Sequence, residues 1–185
     1  MWRNKVGFAF FLLAAILSAV AAWKQPHILL FMNCAHNTIL AVLYAVRLPA
    51  QKTDRTGLVL GLAAAVLPVL DEHRLADVSS AWVGIGIAGE LMVLWSLINL
   101  GRRFGIGPAD RGLIESGPYS LVRHPMYTGE LALRLSLSVG STSAWFLMPL
   151  MLVIQVLRAL REERVIAGYA EYANRVPWRF LPCIF

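Results

Sequence analysis

Residues 117–130 read GPYSLVRHPMYTGE, a polar cluster set between two apolar stretches. Arg123 and His124 precede Pro125, where a membrane helix is predicted to begin. Two cationic side chains there can hold an anionic group through charge-assisted hydrogen bonds. Proline suits the first turn of a helix, and the free N–H groups of that turn also favour an anion. Tyr127 adds a ring for a flat or cationic group and a hydroxyl for a hydrogen bond. Further along, REER at 161–164 supplies Glu162 and Glu163, carboxylates able to accept from hydroxyls or an ammonium. Each feature also has a plain structural use. Arg123 can anchor a helix end at the membrane interface. Glu162 and Glu163 can be a solvated helix end pairing with Arg158, Arg161 or Arg164.

These residues sit in a chain of 185 residues that is 58% hydrophobic and only 15% charged. Soluble domains are about 45–50% apolar and about 25% charged, so the predicted class is an all-α integral membrane protein. The net charge of +6 lies between apolar segments and not on one basic face, which excludes nucleic acid as a partner. Cys34 and Cys183 show no metal-binding or redox spacing, so neither a metal site nor a disulfide framework is expected, and Cys34 is read as a small packing residue. Apolar segments fall at 6–23, 27–46, 57–70, 81–100, 126–139 and 144–160. A membrane helix needs about 20 residues, so the third and fifth, near 14 each, are short. Five to six spans are expected. The first is read as a retained span because it exceeds a usual signal core. Arg and Lys alternate between loops: 47–55, 101–125 and 161–185 are basic, whereas 71–80 and 140–143 are not. The positive-inside rule then puts both termini and both polar stretches in the cytoplasm, and the membrane is read as a bacterial inner membrane.

Some polar residues lie inside the apolar segments. Asn33, His36 and Asn37 share one helix face. They suit contact with a ligand, or hydrogen bonding between helices, the commoner use. Glu90 and Arg134 would each be costly alone in a bilayer, by about 2.5–3.5 kcal/mol on insertion scales. Their pairing would offset that cost, with Glu130 competing for Arg134 one helical turn away. Gly84, Gly86 and Gly89 permit close helix approach, and the GIG at 105–107 is too little to define a phosphate loop.

LGRRFGIGP at 100–108, RGLIESGPYSLVRHPMYTGE at 111–130, REER at 161–164 and YAEYANRVPWRFLP at 169–182 occur in an order that resembles one family. It comprises the integral-membrane isoprenylcysteine carboxyl methyltransferases and their relatives, phospholipid N-methyltransferases among them. The resemblance covers roughly 95–185 and implies a methyltransferase core there, with membrane helices over 1–94. It implies S-adenosylmethionine as cofactor, in a cytoplasmic pocket built from the polar loop, the following helix and the C-terminal tail. Val122, His124, Tyr127, Glu162 and Glu163 would bind it, and Arg175 would act catalytically by orienting the acceptor. The acceptor would be lipidic, a carboxylate, thiol or amine drawn from the bilayer, with no obligate protein partner. His124 is expected to matter more for the cofactor than Arg111, and Arg175 more for turnover than Arg179. A small transporter, or a non-catalytic scaffold of the same fold, are the alternatives.

Overall fold

The computed structural model describes residues 2–67, 78–139 and 141–184. The acidic loop read at 71–80 lies mostly outside these residues, as does the end of the third apolar segment. Seven α-helices are present among them: α1 (Trp2–Lys24), α2 (Ile28–Val46), α3 (Arg55–Val66), α4 (Ser80–Leu100), α5 (Pro125–Ser138), α6 (Ala144–Val165) and α7 (Tyr169–Arg175). Two short strands, β1 (Lys52–Thr53) and β2 (Ala109–Asp110), pair antiparallel.

Among the described residues, four helical stretches are long and apolar enough to cross a bilayer: Asn4–Lys24, Ile28–Val46, Ser80–Arg103 and Ala144–Val165. Their outward faces carry exposed Leu13, Ile16, Phe31, Val42, Leu91, Ile98, Phe146 and Val153, a surface suited to lipid and not to water. Among the described residues, then, four stretches and not five or six meet that length and composition. The two short segments form α3, of 12 residues, and α5, of 14. Neither reaches the usual 17-residue lower limit, about 25 Å of helix. α5 is instead walled in by protein: Leu133, Ser136 and Leu137 are buried against its neighbours.

Helix pairing follows small residues. α1 packs mainly on α2, α4 on α5, and α3 on α6. A Cβ built on Gly89 of α4 would sit 2.7 Å from the Gly129 carbonyl of α5. One built on Gly129 would sit 2.5 Å from the Gly89 carbonyl, so the two backbones touch. Ser136 donates to the Trp82 carbonyl beside this contact, at 2.6 Å. Gly86 also faces Ser136, whereas Gly84 meets nothing. α3 is anchored by Asp54, which caps it by accepting from the Thr56 N–H and receives Arg161 of α6 at 2.9 Å. That guanidinium holds the Asp54 carboxyl below its usual range.

One end of the bundle gathers three distant pieces of chain. The β1–β2 pair fastens the loop after α2 to the loop after α4, helped by Leu48 N–H to the Arg102 carbonyl at 2.7 Å. The tail beyond α7 runs along the start of α5. Arg123 and His124 N–H groups donate to the Trp178 and Arg179 carbonyls, both at 2.8 Å, and Thr128 Oγ1 donates to the Phe180 carbonyl.

Candidate functional site

A cavity opens at this end, between the 100–114 loop, the start of α5, the end of α6 and α7. Tyr119, Tyr127, Tyr169 and Tyr172 give it aromatic walls; Glu162, His124, Arg123, Arg103 and Arg111 give it charge. Gly105, Gly107 and Gly112 line the loop side. At Gly112 the backbone has φ of +91°, which a side-chain-bearing residue rarely adopts.

The sequence places His124 just before Pro125, so its side chain leaves the chain as the helix starts. Its ring stacks on Tyr127, with planes 2° apart and centroids 5.4 Å apart. Its Nε2 lies 3.0 Å from the Tyr169 hydroxyl and 3.3 Å from Glu163 Oε1, and its Nδ1 lies 3.7 Å from Glu162 Oε2. Burial pulls the imidazole pKa down, but the two carboxylates outweigh it, and the value is raised above the ordinary one. Burial also holds the Tyr169 and Tyr172 hydroxyls well above the usual phenol range, so both are neutral donors. Tyr172 donates to the Tyr119 carbonyl at 2.6 Å, tying α7 to the polar loop.

The two adjacent glutamates take different work. Glu163 is a hub: Arg123 meets it at 3.1 Å, and Arg179 grips both its oxygens at 2.9 and 3.1 Å. Glu162 accepts from the Tyr127 hydroxyl at 2.9 Å and faces the cavity. Its side chain keeps 27% exposure, against 14% for Glu163. Neither pairs with Arg161 or Arg164, so the solvated-helix-end reading does not describe them.

The structure thus brings His124, Tyr127, Glu162 and Glu163 together. Val122 is buried behind them and is not on the cavity wall. Arg175 stands apart: its side chain is 58% exposed and its guanidinium pairs with Glu115 on the surface. The acceptor-orienting role expected of it finds no support in this geometry. Arg179, expected to matter less than Arg175, is bound into the glutamate hub, and Arg111, expected to matter less than His124, lines the cavity. Tyr119, Tyr169 and Tyr172 were present in the quoted motifs, but spacing alone does not tell a wall from a surface.

Glu90 and Arg134 are not each other's partners. Glu90, fully buried, meets His36 at 3.1 Å, and Arg134 donates to Asn33 Oδ1 at 3.4 Å. Asn33 and Asn37 donate to Ser18 Oγ of α1, at 3.0 and 3.1 Å. Interhelical bonding therefore describes those two asparagines. Cys34 likewise packs on α1, its thiol 3.6 Å from the Ala15 carbonyl. Among the described residues no cluster of three metal-ligating side chains occurs.

Residues 79–170 match the family model described as phospholipid methyltransferase. The match spans the polar loop, α5 and α6, and stops before the tail that carries Arg175 and Arg179. A Delta(14)-sterol reductase of Arabidopsis thaliana is 34% identical over 82 residues, 40% of this chain. The match covers 22% of the reductase's own length. No solved structure matches.

Proposed function

Residues 79–170 carry the phospholipid methyltransferase family pattern, and from that premise we propose that this integral membrane protein transfers a methyl group from S-adenosylmethionine to a lipidic acceptor. The observation that carries the proposal is the cavity itself: tyrosine-walled, with Glu162 at one side and Arg103 and Arg111 at another, and lined by residues of the family segment together with Tyr172. Its residues fit the cofactor. A carboxylate suits Arg103 and Arg111; the buried Nε of Arg123, which has no partner, is a further donor in that wall. An ammonium or a ribose hydroxyl suits the Glu162 carboxylate. An adenine or a sulfonium suits the tyrosine faces.

The cofactor would supply an already activated methyl, whose bond electrons stay with sulfur as the acceptor's lone pair takes the carbon. The chain's task is then alignment and exclusion of water. Tyr127 is held from three directions for this: His124 stacks on it, Glu162 takes its hydroxyl, and the Arg158 guanidinium lies 4.5 Å from its ring centre. A carboxylate or thiolate acceptor needs no base; an amine would have to lose a proton first. With the basic loops in the cytoplasm, the cavity opens to soluble cofactor there.

Calorimetric titration with S-adenosylhomocysteine tests the site, and methyl-labelled cofactor with a total lipid extract tests the reaction. Binding lost in Glu162→Gln, with labelled lipid formed by the parent chain, is the expected result. No binding by the parent chain removes the proposal. A reductase reading draws on the Arabidopsis relative. A reductase needs a hydride donor, so the same titration with a reduced nicotinamide dinucleotide separates the two.

A further inference from the structure

The tyrosine-walled cavity encloses about 60 Å³, room for a handful of waters. A ligand with adenine, ribose and amino-acid parts enters only if a wall gives way. We propose that the wall that gives way is the strap 112–117, a gate hinged at Gly112 and Gly117 and clasped to α7 by the Glu115–Arg175 pair. The identity of the gated ligand rests on the function proposed above; the gate itself does not.

The strap is anchored at both ends and lightly held between them. On one side Asp110, in β2, accepts the Gly112 N–H at 3.1 Å and the Ala167 N–H at 3.3 Å. On the other side Pro118 and Tyr119 are buried, and Tyr172 holds the Tyr119 carbonyl. Residues 113–116 belong to no helix or strand. Among the described residues, none of their N–H groups donates to a backbone carbonyl. Two contacts close the strap over the cavity. Leu113, on the cavity wall, packs against Tyr169, Tyr172 and Val176. Glu115 meets Arg175 at the surface, with side chains 41% and 58% exposed.

Both ends are glycines in the left-handed region, with φ of +91° at Gly112 and +61° at Gly117. Glycine moves between backbone wells with no Cβ in the way, and hinges are the few loop positions that absorb such changes. The facing wall is held more firmly. The Tyr169 hydroxyl lies 3.0 Å from His124 Nε2, and Tyr172 donates at 2.6 Å, both in buried surroundings. An exposed ion pair is weak, which suits a clasp that must open in every binding event. Such a clasp needs charge at 175 and not a planar fork, so lysine there would keep it.

Thiol accessibility decides it. Met126 is buried on the cavity wall. In a Met126→Cys chain in detergent, modification by a charged methanethiosulfonate is timed and read at that peptide. Glu115→Arg, which sets like charges against each other, should speed modification roughly three- to ten-fold. Adding Arg175→Glu, which restores the pair in reverse, should return the starting rate. Glu115→Gln should move the rate the same way by about two-fold, and it decides alone if Glu115→Arg does not fold. A rate that ignores the loss of the pair, or one that the double reversal does not bring back, overturns the gate. Stopped-flow release of S-adenosylhomocysteine should quicken by the same factor as modification, and release that ignores Glu115→Arg also overturns it. Gated modification in a chain that binds no S-adenosylhomocysteine leaves the gate standing and removes the methyl-transfer reading.

Discussion

At the residue scale the site depends on a buried imidazole held between two carboxylates. His124 has a raised pKa, so its protonated form is favoured by folding. The stability it contributes is fully present below the ordinary imidazole value of about 6.5, erodes above that, and is gone once pH passes the raised folded value. Thermal unfolding followed from pH about 6 to about 9 should show this alkaline loss, and His124→Asn should flatten it. An unchanged pH profile in the variant would place the titrating group elsewhere. The two tail arginines should also part company. Arg179 forks onto Glu163, and lysine cannot reproduce that fork. Because the pair is partly exposed, Arg179→Lys should cost only about 1 kcal/mol, read as a lower unfolding temperature. Arg175 pairs with Glu115 at an exposed edge. Arg175→Lys should leave stability within about 0.5 kcal/mol and S-adenosylhomocysteine affinity unchanged. Turnover should also stay near the parent rate; a selective fall in turnover would restore the acceptor-orienting role implied by the family resemblance.

At the element scale the firmest contact is the backbone crossing of α4 and α5 at Gly89 and Gly129. Each would place a Cβ under 3 Å from the other's carbonyl, with no flexible side chain to give way. Overpacking costs about 1–3 kcal/mol where neighbours can adjust, and backbone cannot move without the helix. Gly129→Val should therefore lower thermal stability in detergent by at least the upper part of that range. Gly84→Ala, on the same helix but facing open space, should be neutral or slightly stabilising through helix propensity. Equal effects of the two substitutions would mean that α4 and α5 do not cross there. The crossing matters for the site because α5 carries Tyr127 at its start.

At the scale of the whole molecule, the loops after α2 and α4 and the C-terminal tail lie together at one end of the bundle. Single cysteines at positions 50, 115 and 165 should accordingly be labelled by a membrane-impermeant maleimide from the same side. That side should be the cytoplasmic one by the arginine pattern. Labelling of 115 and 165 from opposite sides would contradict the packing of the polar loop and the end of α6 around one cavity.

Much of this was legible in the chain. Long apolar runs identify the four spanning helices because a bilayer core imposes a minimum length and tolerates few charges. The motif order located the cavity's loop, helix start and glutamates, and the helix period put Asn33 and Asn37 on the face that meets α1. What the sequence could not assign was which partner each polar side chain takes. Glu90 had Arg134 and Glu162 had the neighbouring arginines as equally reasonable partners by spacing, yet their contacts are His36 and Tyr127. Glu162 and Glu163 are adjacent and chemically identical, and only the course of the tail, which brings Arg179 onto one of them, makes one a scaffold and leaves the other facing the cavity. Charge pairing is short-ranged and depends on which helices touch, and that is decided by the tertiary packing of small residues such as Gly89 and Gly129.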